Sequence, residues 1–253
     1  MNKRANIVEF IGAPGVGKSS VYKALCRSWD SKQNWVHQNI LLYSQKKTSY
    51  PLLSWINYKI RSFLKINFQH SLPVNGGVQY VQDHESLAKF YWDHLSNPEF
   101  TSNEDMGLRF RSAFFLFRDF CKYQAIHDNA NGKVCVIDEG VLQKSFLIHE
   151  DVLMTQSLLD EYFSLCELPK AVFWVHVESL EIILERLTNR HKYIASHVGK
   201  NEESLMEETK KWAKLIKLIA DQLEKQGVKV YQLDGTLPIK NNVEKVKEIL
   251  INL

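Results

Sequence analysis

Five short runs of β-branched and aromatic residues punctuate the chain, at residues 7–11, 35–41 (the weakest), 134–137, 171–177 and 228–233. They are nearly continuous in apolar character rather than alternating, which is the pattern of strands covered on both faces of a parallel sheet. Between them the apolar residues return at helical spacing. Val21, Leu25 and Trp29 fall every fourth residue, and Leu180, Ile183, Leu184 and Leu187 form one stripe. Trp212, Leu215, Ile216, Ile219 and Leu223 form another, in a segment that ends at Gly227. A last helix is predicted after Asn241, an N-cap residue with Glu244 three positions on, and it puts Val243, Val246 and Leu250 on one side. Strands alternating with helices in this order predict an α/β domain with helices on both faces of its sheet.

One interval breaks the alternation. Residues 42–132 are aromatic-rich and helical by pattern, with loop signals at Pro73-Val74-Asn75-Gly76-Gly77 and Ser96-Asn97-Pro98. A stretch this long is no plain connection, so residues 1–253 read as a single domain carrying a helical insertion over the sheet edge. Hydrophobic residues make up 45% of the chain and charged residues 24%, which suits a globular protein with a real core. The start, Met1-Asn2-Lys3-Arg4 before residues 7–11, has the outline of a signal peptide. Its apolar part is short, is broken by Glu9 and runs straight into a glycine loop, so it reads as a first strand. No run approaches the roughly 20 apolar residues of a membrane span. Cys26, Cys121, Cys135 and Cys166 show no metal-ligand spacing and read as reduced, buried thiols, which fits the cytoplasm.

Candidate chemistry begins where the first strand ends. Gly12-Ala13-Pro14-Gly15-Val16-Gly17-Lys18-Ser19, followed by Ser20, has the spacing of a phosphate-binding loop, with a strand before it and an amphipathic helix after it. Glycines let backbone N–H groups turn inward around phosphate oxygens, and the helix N-terminus adds a favourable dipole. In such a loop Lys18 reaches the β- and γ-phosphates, and the Ser19 hydroxyl is placed to ligate Mg²⁺. The third apolar run ends in Asp138-Glu139, putting two carboxylates where parallel sheets bind ligands. Asp138 is a candidate for holding Mg²⁺, and Glu139 for orienting or deprotonating a nucleophile.

After the fourth run, a helix carries Arg186 and Arg190 on the face opposite its aliphatic stripe, with Lys192 just beyond. Strand, helix and Arg-x-x-x-Arg before a polar segment resemble the lid of the P-loop nucleoside and nucleotide kinases, such as thymidylate kinases. The fifth run, Asp234-Gly235-Thr236 and the final helix resemble their closing strand, adenine-side loop and last helix. The resemblance covers residues 5–30, about 110–195 and 228–250. It implies a three-layer P-loop fold with a five-stranded parallel sheet in the order 2-3-1-4-5. It also implies a substrate-binding role for the insertion, and a lid at about residues 186–204 whose Arg186 and Arg190 serve the migrating phosphoryl group. One motif departs: Asp138-Glu139-Gly140 stands where thymidylate kinases have Asp-Arg-Tyr or Asp-Arg-His.

Charge distribution bears on the acceptor. No carboxylate lies between Asp30 and Asp83, whereas Lys32, Lys46, Lys47, Lys59, Arg61 and Lys65 do. Deoxynucleoside kinases carry a glutamate general base near the end of their second strand, and this chain has none there, so the resemblance implies Glu139 or Asp138 as any base; a basic insertion favours an anionic acceptor. Arg111 and Arg118, seven residues apart and so on one helix face, are candidates for holding it, since thymidylate kinases use an arginine of the matching helix. The alternative partners for these arginines are Asp105 and Asp119.

The expected activity is transfer from Mg·ATP to a small acceptor. The rival is a P-loop ATPase in which Glu139 orients water. The net charge of +3 gives no argument for nucleic acid, and association of two copies is left open.

Overall fold

The computed structural model describes residues 4–43, 74–96, 106–143, 156–189 and 201–253, together with Ile56 and Ile60. Its strands are β1 (Arg4–Ile11), β2 (Trp35–His37), β3 (Val134–Ile137), β4 (Leu168–His176) and β5 (Lys229–Asp234). They form one five-stranded sheet in the order β2-β3-β1-β4-β5, every pair parallel. The sheet order implied by the kinase resemblance is therefore the one found. The inner strands are buried, with Val8, Phe10, Cys135, Val136, Val172 and Phe173 each completely enclosed, whereas edge strand β5 buries only Leu233.

Helices fill the connections. The described ones are α1 (Lys18–Arg27), α2 (Gln38–Tyr43), α3 (Val74–Asp83), α4 (Glu85–Ser96), α5 (Met106–Asn129), α6 (Gln156–Leu165), α7 (Leu180–Thr188), α8 (Glu202–Lys225) and α9 (Ile239–Ile251). Helix α1 packs on α9, and α7 on α8, through the stripes visible in the sequence. Val21 and Leu25 of α1, Ile183 and Leu187 of α7, Ile219 and Leu223 of α8, and Val246 and Leu250 of α9 are all buried. Ser179 caps α7 by accepting from the Ile182 amide at 3.3 Å, and Asn201 caps α8 by accepting from the Ser204 amide at 2.9 Å.

Three local expectations fail, each for a physical reason. The second strand stops at His37, and residues from Gln38 onward turn into α2. The glycine pair Gly76-Gly77 signals a loop but lies inside α3. There a Cβ on Gly77 would sit 2.5 Å from Cys121 Sγ and 2.8 Å from Phe117 Cζ. The small residue allows close helix packing between α3 and α5 rather than a turn. The last helix begins at Ile239 rather than after Asn241, and its N-cap position is Pro238. The Asn242 side chain instead donates to the Asp234 carbonyl at 2.8 Å, tying the helix back to the end of β5.

The lower end of the sheet is closed by a polar clasp. Glu167, just before β4, meets His127 Nε2 at 2.7 Å and His84 Nε2 at 3.5 Å, which brings the ends of α3 and α5 to one carboxylate. Burial alone would raise this carboxyl, but the hydrogen bond and charge of His127, seconded by His84, hold it below its ordinary value. All four cysteines are buried and none is in a disulfide, and burial pushes the thiols of Cys26, Cys135 and Cys166 far up, so they stay protonated at neutral pH. No helix among the described residues is long and apolar enough to cross a membrane.

Candidate active site

Side chains alternate along β1, so Phe10 and Glu9 leave opposite faces of the sheet. Phe10 meets Tyr22 of α1 edge-on at 5.9 Å, and Glu9 therefore faces the side of α5. Past Ile11 the chain enters the glycine loop. Gly15 and Gly17 adopt φ values of +89° and +98°, in the left-handed region where a side chain is strained. At Gly15 space is short as well, since a Cβ would lie 2.8 Å from Ile183 Cγ2. Gly17 is the N-cap of α1, so the Lys18 and Ser19 amides and the helix dipole are presented at the mouth of the loop, while the Ser20 amide donates to the Gly17 carbonyl at 3.0 Å.

Opposite this turn, β3 delivers its carboxylates. Lys18 is buried, and its Nζ donates to Glu139 Oε1 at 2.5 Å and lies 3.7 Å from Asp138 Oδ1. Ser19 Oγ lies 3.5 Å from the same Asp138 oxygen. Four residues that the sequence nominated from two segments about 120 residues apart thus converge on one point at the carboxyl ends of neighbouring strands. Asp138 and Glu139 remain partly open, with side chains 23% and 38% exposed, so the point is reachable from solvent. Two hard oxygen donors beside a phosphate loop fit a magnesium ion, which takes one or two protein oxygens and fills its remaining positions from phosphate and water.

The expected lid is described only in part. Arg186 is half-buried on α7, and its guanidinium donates from Nη1 to the Val16 carbonyl at 3.4 Å and from Nη2 to the Gly235 carbonyl at 3.1 Å. It joins the phosphate loop to the loop after β5. Arg190, Lys192 and most of the segment 186–204 lie outside the described residues. On α5, Arg111 and Arg118 do share a face: both guanidiniums lie over the Phe115 ring, at 5.5 and 4.7 Å from its centroid. Asp119 pairs with Lys122 rather than with either arginine, and Lys122 Nζ also donates to the Glu139 carbonyl at 3.2 Å. Positions 111, 115, 118 and 122 follow helical spacing, so this basic and aromatic stripe ends against the acidic loop.

Comparisons with known proteins add little to this geometry. No protein-family model matches the chain, and no curated protein matches it. Among solved structures, a deoxyadenosine kinase from M. mycoides with bound dCTP is 14% identical over 98% of this chain and 100% of that one, with a TM-score of 0.42. A shikimate kinase from Bacteroides thetaiotaomicron is 11% identical over 96% and 97%, with a TM-score of 0.38. At these values the fold assignment rests on strand order and register, and the chemistry on the residues themselves.

The residue that sequence reasoning passed over is Glu9. It interrupts an apolar strand, and the structure encloses it completely. Its Oε1 accepts from the Gly140 amide at 2.8 Å and the Gln143 amide at 3.3 Å, and its Oε2 accepts from the Tyr123 hydroxyl at 3.4 Å. Burial raises its pKa from 4.5 to about 7, against the lowering effect of the two amides. An acid raised in the folded state favours folding while both states hold the proton, and the contribution is lost as pH climbs through about 7. Unfolding free energy is therefore expected to fall by up to about 3 kcal/mol on this account between pH 4.5 and 8. Glu9→Gln should remove that slope in denaturant titrations across the same range. A slope equal to the parent's would disprove the assignment.

Proposed function

We propose that the chain is a phosphotransferase that moves the γ-phosphoryl group of ATP to a small, anionic acceptor. The observation that carries this reading is the convergence of Lys18 and Ser19 with Asp138 and Glu139 at the carboxyl ends of β1 and β3. Phosphoryl transfer asks a protein mainly for positioning and for positive charge around the transferred group. Gly12, Ala13, Pro14, Gly15, Val16, Gly17 and Ser20 shape the loop around the phosphates, and Lys18 supplies the charge. In this reading Lys18 exchanges its contact with Glu139 for the phosphates when nucleotide arrives, which frees that carboxylate for the acceptor. Ser19 and Asp138 would hold Mg²⁺, which when bound neutralises charge on the phosphates.

Arg111 and Arg118 are assigned to the acceptor's anionic group, and the insertion at 42–132 to its pocket. Arg186 is assigned to the nucleotide side, because its two hydrogen bonds already span the loops that would embrace it. Arg190 completes the proposal as the second charge of the lid.

The test is ADP release from purified protein with Mg·ATP, alone and against nucleotides, nucleosides, sugars and sugar phosphates. Release that depends on an acceptor, with anionic acceptors preferred, is expected. Brisk release without any acceptor would replace this reading by an ATPase in which Glu139 orients water.

A further inference from the structure

The segment bearing the acidic pair is held by side chains from distant parts of the chain. Glu9 of β1 takes the amides of Gly140 and Gln143 on a single oxygen. The Tyr123 hydroxyl, from α5, accepts from the Val141 amide at 3.4 Å while donating to the other Glu9 oxygen. Tyr162 of α6 donates to the Val141 carbonyl at 2.5 Å and is itself hydrogen-bonded to Tyr91 of α4. Lys122 takes the Glu139 carbonyl. The Gln143 side chain then donates back to the carbonyl of Gly12, the first residue of the phosphate loop, at 3.1 Å. Packing is closed around the same point, since a Cβ on Gly140 would lie 2.5 Å from the Tyr123 oxygen and 2.7 Å from Glu9 Oε2.

We infer that Glu9 is a positioning residue that fixes residues 138–143 against the phosphate loop, with Tyr123 as its helper. This rests on the phosphotransferase reading for its consequence, though the geometry stands apart from it. Glu9 meets two amides of the acidic segment from β1, level in register with Ile137, the residue before Asp138. The carboxylate serves as a local substitute for sheet pairing where β3 has ended. It accepts backbone donors that would otherwise be buried unsatisfied. It reaches the donor side as well, because the residue whose amide it holds, Gln143, also grips Gly12. One buried group therefore sets the spacing between Lys18 and its two carboxylates. Reacting groups displaced by about 1 Å can lose 100-fold in rate.

The decisive experiment is hydrogen exchange of residues 139–143 in the nucleotide-free protein, alongside steady-state kinetics. Glu9→Met keeps volume but removes both acceptor oxygens. It should speed exchange at Gly140 and Gln143 by about 100-fold or more while the β4 and β5 amides keep their protection. The same variant should lower kcat about 100-fold and change KM for ATP by less than about threefold. Glu9→Gln restores an acceptor for both amides and should recover most of both losses.

Unchanged exchange in Glu9→Met overturns the inference whatever the activity. Equal loss in Glu9→Gln overturns it too, because a purely spatial role would not distinguish an acceptor oxygen. If Glu9→Met does not fold, Tyr123→Phe decides: faster exchange that reaches Gly140 and Gln143 supports the inference, and exchange unchanged at those two amides overturns it. If the parent protein turns over no acceptor, the phosphotransferase reading fails, while the exchange result still decides what Glu9 holds.

Discussion

Replacing Lys18 by alanine is expected to reduce turnover by about 10³-fold, at the upper end of what one group aimed at developing charge supplies. The lysine is enclosed, and its ammonium already sits where the Ser19 hydroxyl and the two carboxylates meet. No other described cation has such a place in the phosphate loop: Arg186 points both its hydrogen bonds at backbone carbonyls. The fold should survive the change. Asp138 and Glu139 are partly exposed and can rehydrate when their partner goes, so no isolated charge is trapped in the core. Paired measurements of kcat and of the thermal midpoint check both halves. Turnover within tenfold of the parent would remove Lys18 from the chemistry.

Gly235→Ala carries the second large effect, and it acts on structure first. A Cβ at this position would lie 2.3 Å from the Val16 carbonyl oxygen, 2.8 Å from Val177 Cγ2 and 3.1 Å from the His176 carbonyl oxygen. Two of the three obstacles are backbone and cannot rotate aside. The Gly235 amide also donates to the His176 carbonyl at 2.7 Å, and its own carbonyl receives Arg186, so the loop is pinned on both sides. Relief must come from the phosphate loop, because Val16 belongs to it. A loss of about 1–3 kcal/mol in stability is expected from the overpacking. Nucleotide affinity should weaken by at least about tenfold, each 1.4 kcal/mol of distortion being one factor of ten. Denaturant titration and calorimetric titration with Mg·ADP measure the two. Parent-like values in both would show that the loop accommodates the methyl group and has no fixed tie to the phosphates.

The sequence showed the sheet and its helices because the buried faces are long and uniform. Residues 134–137 have no polar position to interrupt them, and the α8 stripe persists over three turns. It showed the glycine turn between β1 and α1 because glycine spacing there answers to backbone geometry, and Gly15 and Gly17 both have positive φ. It hid what depends on a single partner. Gly76-Gly77 looks the same in a turn and in a close helix contact until Cys121 and Phe117 are placed beside it. Glu9 was visible as a charge in an apolar strand, but its meaning lies in amides more than 130 residues away. Arg186 was found as a cation, and only the fold shows it clasping two loops.

The strand order has a consequence for the order of synthesis. β1 is central, and its partners β3 and β4 are made last among the inner strands, with β4 ending at His176. At roughly 5–20 residues per second on the ribosome, β1 waits on the order of ten seconds for a neighbour on each side. Throughout that time Ile7, Val8, Phe10 and Ile11 are an apolar segment without a sheet, the kind of stretch that seeds aggregation. Glu9 stands in the middle of it. An ionised carboxylate is an effective gatekeeper in a nascent chain. The side chain that is enclosed in the finished molecule would thus break the apolar run until there is a sheet to enclose it.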